Sequence, residues 1–173
     1  YAQATSDAGN IKMDMIREAR ETIELAMANV INPKEGFYQL LAALLLTENN
    51  FVKAAELLEL FVTKFPDKKD FWPQLMQCYV QLAVNEKDEA KARPLFVRAI
   101  NTIERAQQLG LMTDPRTNYS LVTIYINAGQ PGKATDLLHA GLRKGAIEST
   151  SANWRILADQ YRQADKPFQA VDA

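Results

Sequence analysis

The sequence has few of the residues from which catalytic and metal sites are built. Its 173 residues include one cysteine, Cys78, and one histidine, His139. A lone cysteine forms no intrachain disulfide, and a histidine without Cys, Asp or Glu three or four residues further on lacks the co-ligands that zinc needs. Gly-rich phosphate loops and the motifs G-x-S-x-G and H-E-x-x-H are also missing. We expect no enzymatic activity and no cofactor or metal, with Cys78 buried and His139 on an exposed surface.

Neither sign of charge predominates, and no apolar run is long. The 20 basic and 21 acidic residues give a formal net charge of −1 and form no basic stripe, which argues against nucleic acid as a partner. No apolar stretch approaches the roughly 20 residues needed to cross a bilayer. With 47% hydrophobic and 24% charged residues, the composition is that of a globular chain.

What the sequence does contain is a motif that recurs. In its clearest copy an aromatic residue, leucines and a small residue come before a polar break; they are Tyr38, Leu41, Ala42 and Leu45. After the break come Ala54, Leu58 and Pro66. The motif restarts at Trp72, and 72 − 38 = 34 residues. Apolar residues at i, i+3 and i+7 form one stripe on a helix, and small residues let two helices approach closely. The motif therefore predicts helical hairpins that must stack on neighbours to bury their apolar faces.

Further copies follow along the chain. Ala54 lies 16 residues after Tyr38, Ala134 lies 16 after Asn118, and Ala170 lies 16 after Trp154. Polar breaks recur at 48–50, 129–131 and 165–167. This period and signature resemble the tetratricopeptide repeat (TPR) family. The resemblance implies an all-α, right-handed TPR α-solenoid of stacked antiparallel helix pairs that binds protein or peptide partners.

The repeats divide the chain into predicted segments. Residues 1–10 form a flexible tail, in which Ala2-Gln3-Ala4 has the form of a signal-peptidase scar or matches it by chance. Residues 11–173 form a single domain with a leading helix over 11–31, repeats near 35–68, 69–113 and 114–148, and a partial repeat over 151–173. The leading helix either completes a preceding repeat or caps the stack. Because the last repeat is partial, the chain either is a fragment of a longer protein, which we expect, or has an atypical end.

The second repeat is longer than the others. Asn118 follows Trp72 by 118 − 72 = 46 residues, about 12 more than the TPR period. The extra residues are expected at 83–88, with the second helix continuing to Gln108. Pro94 either marks a helix start near Ala92 or kinks the helix. The insertion either adds to a binding face or lengthens the repeat without a functional consequence.

Three stretches resemble a narrower group, the bacterial TPR proteins encoded beside TonB-type energy-transduction systems. They are residues 71–75 (FWPQL), 110–113 (GLMT) and 140–154 (AGLRKGAIESTSANW). This resemblance implies a periplasmic accessory protein of a transport complex, with components of that complex as partners. The alternative location is the cytoplasm.

A partner is expected on the first helices, which line the concave face of a TPR stack. The predicted groove residues share the polar face of those helices: Gln39, Gln74, Gln77, Gln81, Tyr119, Thr123, Asn127, Arg155, Asp159 and Arg162, together with Ala43 and Thr47. Amides suit the backbone of an extended peptide, and Arg155 and Arg162 would anchor a carboxylate, with Asp159 orienting them. Equally, these are the polar faces that any soluble helix shows.

Two further alternatives concern the aromatics and the chain's own copies. The aromatics Trp72, Tyr79, Tyr125, Trp154 and Tyr161 are expected in the core between helices rather than as a ligand-stacking set. Instead of a binding scaffold, the chain could be a self-assembling module that forms homo-oligomers through its last repeat, where Phe168 is the residue to change.

Overall fold

The computed structural model describes residues 2–163, with side chains over 12–162, and every regular element in this range is an α-helix. The eight described helices are α1 (Ala2–Ala28), α2 (Glu35–Thr47), α3 (Phe51–Lys64), α4 (Phe71–Asn85), α5 (Glu89–Gln108), α6 (Pro115–Asn127), α7 (Pro131–Lys144) and α8 (Ser151–Gln163). The pairs α2–α3, α4–α5 and α6–α7 fall within the three predicted repeats. The all-α prediction is confirmed.

The chain divides into two compact units between Phe65 and Pro66. In the first unit α1 packs on α2, and α2 on α3. In the second unit each helix from α4 to α8 packs on the next. The single domain over 11–173 stays a prediction. The predicted second helix of the last repeat, with Pro167, Phe168 and Ala170, lies outside the described residues.

The second helices share one buried inner face. Three equivalent positions, seven residues from first to last, carry it in each pair: Ala54, Leu58 and Phe61 on α3; Ala99, Ile103 and Ala106 on α5; Ala134, Leu138 and Gly141 on α7. The first eight of these are at most 1% exposed, and Gly141 is also buried. Small residues at both ends of the α5 and α7 triplets let a neighbouring helix approach, whereas the α3 triplet ends in Phe61; in all three the large middle residue fills the space beside the small ones.

Equivalent turns connect the two helices of the first pair and the two helices of the third pair. Asn49 and Gly129 both adopt the left-handed conformation, with φ of 55° and 72°. The next residue in each turn donates its N–H to a carbonyl five residues back, Asn50 to Leu45 and Gln130 to Tyr125, both at 2.9 Å. Asparagine and glycine tolerate this conformation better than other residues, which explains the polar break at this position.

The first helix begins and ends earlier than the sequence indicates. It runs from Ala2 to Ala28, so the backbone of the predicted tail is helical from Ala2, and the helix stops short of residue 31. At its end the Asn29 side-chain amide donates to the Leu25 carbonyl at 2.8 Å. Because a residue before proline is disfavoured in the helical conformation, Asn32-Pro33 cannot extend the helix.

The extra residues of the second repeat lengthen its helices instead of forming a loop. Helices α4 and α5 have 15 and 20 residues, against 13 and 14 for α2 and α3. The expected insertion at 83–88 is therefore partly wrong: Ala83 is a buried residue of α4, and only 86–88 lie between the helices. The helix start near Ala92 is also wrong, because α5 begins at Glu89 and contains Pro94.

Side-chain capping explains where several helices begin. Asp88 accepts from the Ala90 N–H at 2.9 Å, and Asp114 accepts from the Thr117 N–H at 3.0 Å. These bonds satisfy backbone donors that have no partner inside the helix. Asp70, the residue before α4, makes no such side-chain capping bond.

Candidate partner-binding groove

A cavity of about 290 Å³ lies in the second unit among α4, α5 and α6. Its apolar lining is made by Met76, Val80, Val84, Phe96 and Ile124. The polar lining comes from one face of α4 and α6: Gln77, Tyr119, Ser120, Thr123 and Asn127. The site is therefore an apolar floor with an amide and hydroxyl rim.

A second cavity, of about 430 Å³, lies between the beginnings of α6 and α8. Its lining combines both signs of charge with polar and apolar groups: Pro115, Arg116, Tyr119, Ile147, Glu148, Thr150 and Asn153. Thr150 and Asn153 are held in place, since the Thr150 hydroxyl accepts from the Asn153 N–H at 3.2 Å. Tyr119 lines both cavities, so we treat them as one surface, the first-helix groove.

The structure brings four of the predicted partner-binding residues together. Gln77, Tyr119, Thr123 and Asn127 all line the smaller cavity. Gln74 and Gln81 lie on the same helix as Gln77 but are not among the described lining residues, and the Gln74 amide donates to the Asp70 carbonyl at 3.1 Å. Gln39 belongs to the first unit, where its amide donates to Glu35 at 2.8 Å.

The predicted arginine anchor has a different arrangement from the one expected. Arg162 forms a close ion pair with Asp159, three residues earlier on α8, so Asp159 pairs with one arginine within its own helix. Arg155 is exposed. Within the described residues, the lining of the two cavities does not include Arg155, Asp159 or Arg162. Their role as a carboxylate anchor stays a prediction.

The apolar floor of the groove is not among the residues predicted from the sequence. Met76, Val80 and Val84 are spaced four residues apart, so they form a second stripe on α4 beside the buried stripe of Trp72 and Leu75. Val84 is 64% exposed. The stripe is visible in the sequence as a four-residue spacing, and Met76 stands where the repeat motif has a small residue.

The core aromatics behave largely as predicted. Trp72, Tyr79, Tyr125 and Tyr161 are each at most 7% exposed, whereas Trp154 is only half-buried. The Tyr125 hydroxyl donates to Glu104 in a short hydrogen bond. Burial, with a smaller contribution from Glu104, raises the pKa of Tyr125 to about 12. A phenol held neutral in this way serves packing.

The two residues considered for chemistry are both engaged in the fold. Cys78 is fully buried, as predicted, and burial raises the pKa of its thiol to about 11, which suppresses the reactive thiolate. His139 is half-buried, so the expected exposed position is wrong. Its Nδ1 lies 2.6 Å from the Tyr161 hydroxyl, and Arg143 donates to its Nε2 at 2.8 Å. These contacts link α7 to α8.

Metal-binding clusters and membrane-spanning helices are both absent from the described part of the chain. Across residues 2–163, no group of three or more His, Cys, Asp or Glu side chains is placed to hold a metal ion. None of the helices in that range has both the length and the apolar character needed to span a membrane.

Comparisons with known proteins bear on the fold. No protein-family model matches the chain, and no curated protein matches it. Among solved structures it is similar to a thermophilic TPR protein from Thermus thermophilus, at 19% identity and a TM-score of 0.52, covering 95% of this chain and 82% of that one. It is also similar to a kinesin light chain with nearly identical TPR-like repeats from Podospora anserina, at 17% identity and a TM-score of 0.53, covering 98% and 89%. The described helices therefore have the tetratricopeptide-repeat fold.

Proposed function

We propose that this protein is a non-enzymatic scaffold that binds a segment of a partner protein in the first-helix groove. The observation that carries the proposal is the convergence of Gln77, Tyr119, Thr123 and Asn127 around one apolar floor. Binding sites in proteins commonly combine an apolar cavity with a few polar groups that fix orientation. Both parts are present here, on helices with the fold of protein-binding repeats.

The groove chemistry suits a short extended segment. An apolar side chain of the partner would sit on Met76, Val80 and Ile124, and its transfer from water would supply most of the affinity. The amides of Gln77 and Asn127 both donate and accept, so they can bond the backbone beside that side chain. The predicted amide-mediated capture therefore gains an apolar anchor.

Photo-crosslinking followed by calorimetry tests the proposal. A crosslinking amino acid at Thr123 should capture the partner, and the captured segment is then made as a peptide. Val84→Asp places a charge at the exposed edge of the groove and should weaken peptide binding at least about tenfold, because an apolar contact becomes a desolvated carboxylate.

The matched control is Val52→Asp, a 54% exposed valine on α3 in the first unit. It makes the same chemical change on a helix that does not line the groove and should leave binding unchanged. Equal affinities of the Val84→Asp, Gln77→Ala and wild-type proteins for the captured segment would contradict the groove. Loss of binding in Arg155→Ala or Arg162→Ala would extend the site onto α8.

The partner and the compartment are further parts of the proposal. The resemblance of residues 71–75, 110–113 and 140–154 to TPR proteins encoded beside TonB-type systems supports a periplasmic accessory role in such a transport complex. Fractionation of the source cells with an antibody to this chain tests the location. Recovery in the cytoplasmic fraction would overturn it and leave the groove proposal intact.

A further inference from the structure

The third repeat lacks an aromatic cluster that the first repeat has. In the first repeat the rings of Tyr38, Phe61 and Phe65 pack together, with centroids 4.9 to 6.2 Å apart. Counted from the small residue near the start of each second helix, and from the tryptophan that follows, the equivalent positions of the third repeat hold Asn118, Gly141 and Ile147. Three rings are thus replaced by one amide, one aliphatic side chain and a residue without a side chain.

The larger cavity of the first-helix groove adjoins the position of the missing rings. Ile147 belongs to its lining, and Pro115 and Tyr119 of α6 supply further apolar surface. Ile147 takes the space of a side chain at Gly141, since a Cβ atom built there would lie 2.6 Å from the Ile147 Cδ1. A volume of about 430 Å³ nevertheless stays open beside Ile147. The chain therefore refills only part of the space that rings occupy in the first repeat.

Hydrogen bonds hold the wall of this cavity that follows α7. The Asn118 amide donates to the Ala146 carbonyl at 2.9 Å, and the Asn153 amide donates to the Glu148 carbonyl at 2.8 Å. Asn118, which stands where the repeat motif has an aromatic residue, thus positions the wall. Because the wall is held in place before a ligand arrives, binding loses little free energy to ordering it.

Two charged side chains of opposite sign line the cavity from different elements. Arg116 belongs to α6, and Glu148 to the segment between α7 and α8. Both are exposed, and neither side chain forms an ion pair or a hydrogen bond with a residue that the structure describes. A charged side chain of a partner would be attracted by one of them and repelled by the other. A neutral group with a negative face and a hydrogen-bond donor would suit both.

We infer that the larger cavity binds a tyrosine side chain of the partner segment. An aromatic ring is negative over its face, so the face of a tyrosine suits the Arg116 guanidinium. The phenol O–H is a donor, which suits the Glu148 carboxylate. The ring also supplies the apolar surface that the third repeat lacks. This inference rests on the proposed function, because it names a residue of the segment that the groove binds.

Nuclear magnetic resonance with N-acetyl-tyrosine amide tests the inference before the partner is known. Added to the whole chain, the amide should cause saturable shifts of the backbone signals of Tyr119, Thr150 and Asn153, which line the larger cavity. A ligand of this size should have a dissociation constant on the order of 1 mM. N-acetyl-phenylalanine amide should bind about threefold to tenfold more weakly, because it cannot donate to Glu148, and N-acetyl-leucine amide should bind more weakly still.

Two variants test the charged groups. Arg116→Gln removes the cation that faces the ring and should weaken binding of the tyrosine amide about threefold. Glu148→Gln should reduce the advantage of the tyrosine amide over the phenylalanine amide, because a neutral acceptor makes a weaker hydrogen bond than a carboxylate. The matched controls make the same charge changes at exposed residues of the first unit, Arg17→Gln and Glu56→Gln, and should leave binding unchanged.

Three results would overturn the inference. They are the absence of saturable shifts, equal binding of the tyrosine and leucine amides, and shifts confined to residues outside the larger cavity, such as Gln77 and Asn127. Each would leave the proposed function standing, because Val84→Asp tests the apolar floor separately with the captured segment. Unchanged binding of that segment to Val84→Asp and Gln77→Ala, with the tyrosine amide still bound at the larger cavity, would contradict the proposed function and support the tyrosine site.

Discussion

Gly141 illustrates how one missing side chain sets the distance between two segments. A Cβ atom built on it would lie 2.6 Å from Cδ1 of Ile147 and 2.8 Å from its Cγ1. Ile147 is 1% exposed, and its N–H donates to the Gly141 carbonyl at 3.0 Å. The equivalent positions on α3 and α5 hold Phe61 and Ala106, so a glycine is required here by the local path of the chain after α7.

We therefore expect Gly141→Ala to destabilise the protein in spite of alanine's better helix propensity. Overpacking of a filled core costs about 1–3 kcal/mol, which exceeds the roughly 0.5–1 kcal/mol gained in helix propensity. Chemical denaturation measures the change in the free energy of unfolding.

The control for this change lies in the same helix. Gly132 has no atom within 4 Å of a built Cβ, so Gly132→Ala should be neutral or stabilising. If Gly141→Ala were as stable as Gly132→Ala, the contact with Ile147 would not limit the size of residue 141.

At the scale of one element, α1 is attached to its unit by a part-buried ionic network. No side chain of α1 over 12–28 is fully buried, and Arg20 makes the closest contacts. Its Nε donates to Glu48 at 2.7 Å and its Nη1 to Glu24 at 2.8 Å, and the side chains of Arg20 and Glu48 are each 12% exposed. Because Glu48 follows α2, the network joins α1 to the turn between α2 and α3.

We expect Arg20→Gln to loosen α1 from the first unit. Charge-assisted hydrogen bonds contribute about 1.5–3 kcal/mol, and the change leaves the Glu48 carboxylate without this partner. Hydrogen exchange should show faster exchange of the α1 amides, with the α6 and α7 amides unchanged. Glu48→Gln should have a similar effect from the other side of the pair.

Arg17→Gln is the control for the network. Arg17 pairs with Asp14 on the same helix, with side chains 58% and 72% exposed, and exposed pairs contribute about 0–1 kcal/mol. If Arg17→Gln accelerated exchange of the α1 amides as much as Arg20→Gln does, net charge rather than the contact with Glu48 would govern the attachment of α1.

At the scale of the whole molecule, the repeats make stability local. In a repeat protein each element contacts only its neighbours, and unfolding can be confined to part of the array. Leu58 on α3 and Leu138 on α7 hold equivalent positions in the two compact units, and each is 0% exposed. Changing either leucine therefore tests whether unfolding stays within the unit that contains it.

We expect Leu58→Ala to destabilise mainly the first unit and Leu138→Ala mainly the second. Each should cost about 2–5 kcal/mol through lost burial and the cavity left behind. Hydrogen exchange should quicken mainly in α2 and α3 for the first change and in α6 and α7 for the second. Equal acceleration over all described helices in both variants would show that the chain unfolds as one cooperative unit.

The helices, their pairing and most of the core can be predicted from the amino-acid sequence. A 34-residue period with small residues at fixed positions places each side chain on a known face of a helix, because helical geometry is local. The spacing is therefore enough to assign Tyr38, Leu58 and Leu138 to the core. Helical spacing likewise places Gln77 on the polar face of α4, and Thr123 and Asn127 on the polar face of α6.

Which helix faces meet and which remain exposed depends on tertiary packing. Periodicity marks Met76, Val80 and Val84 as apolar, but whether they join the core depends on how far α6 lies from α4, which no single helix encodes. For the same reason Arg155 could not be assigned to or excluded from the groove by spacing alone. On α1, Ala19, Ile23 and Ala26 repeat the spacing of the buried triplets, and only the tertiary structure shows that Ala19 is exposed and the other two are half-buried.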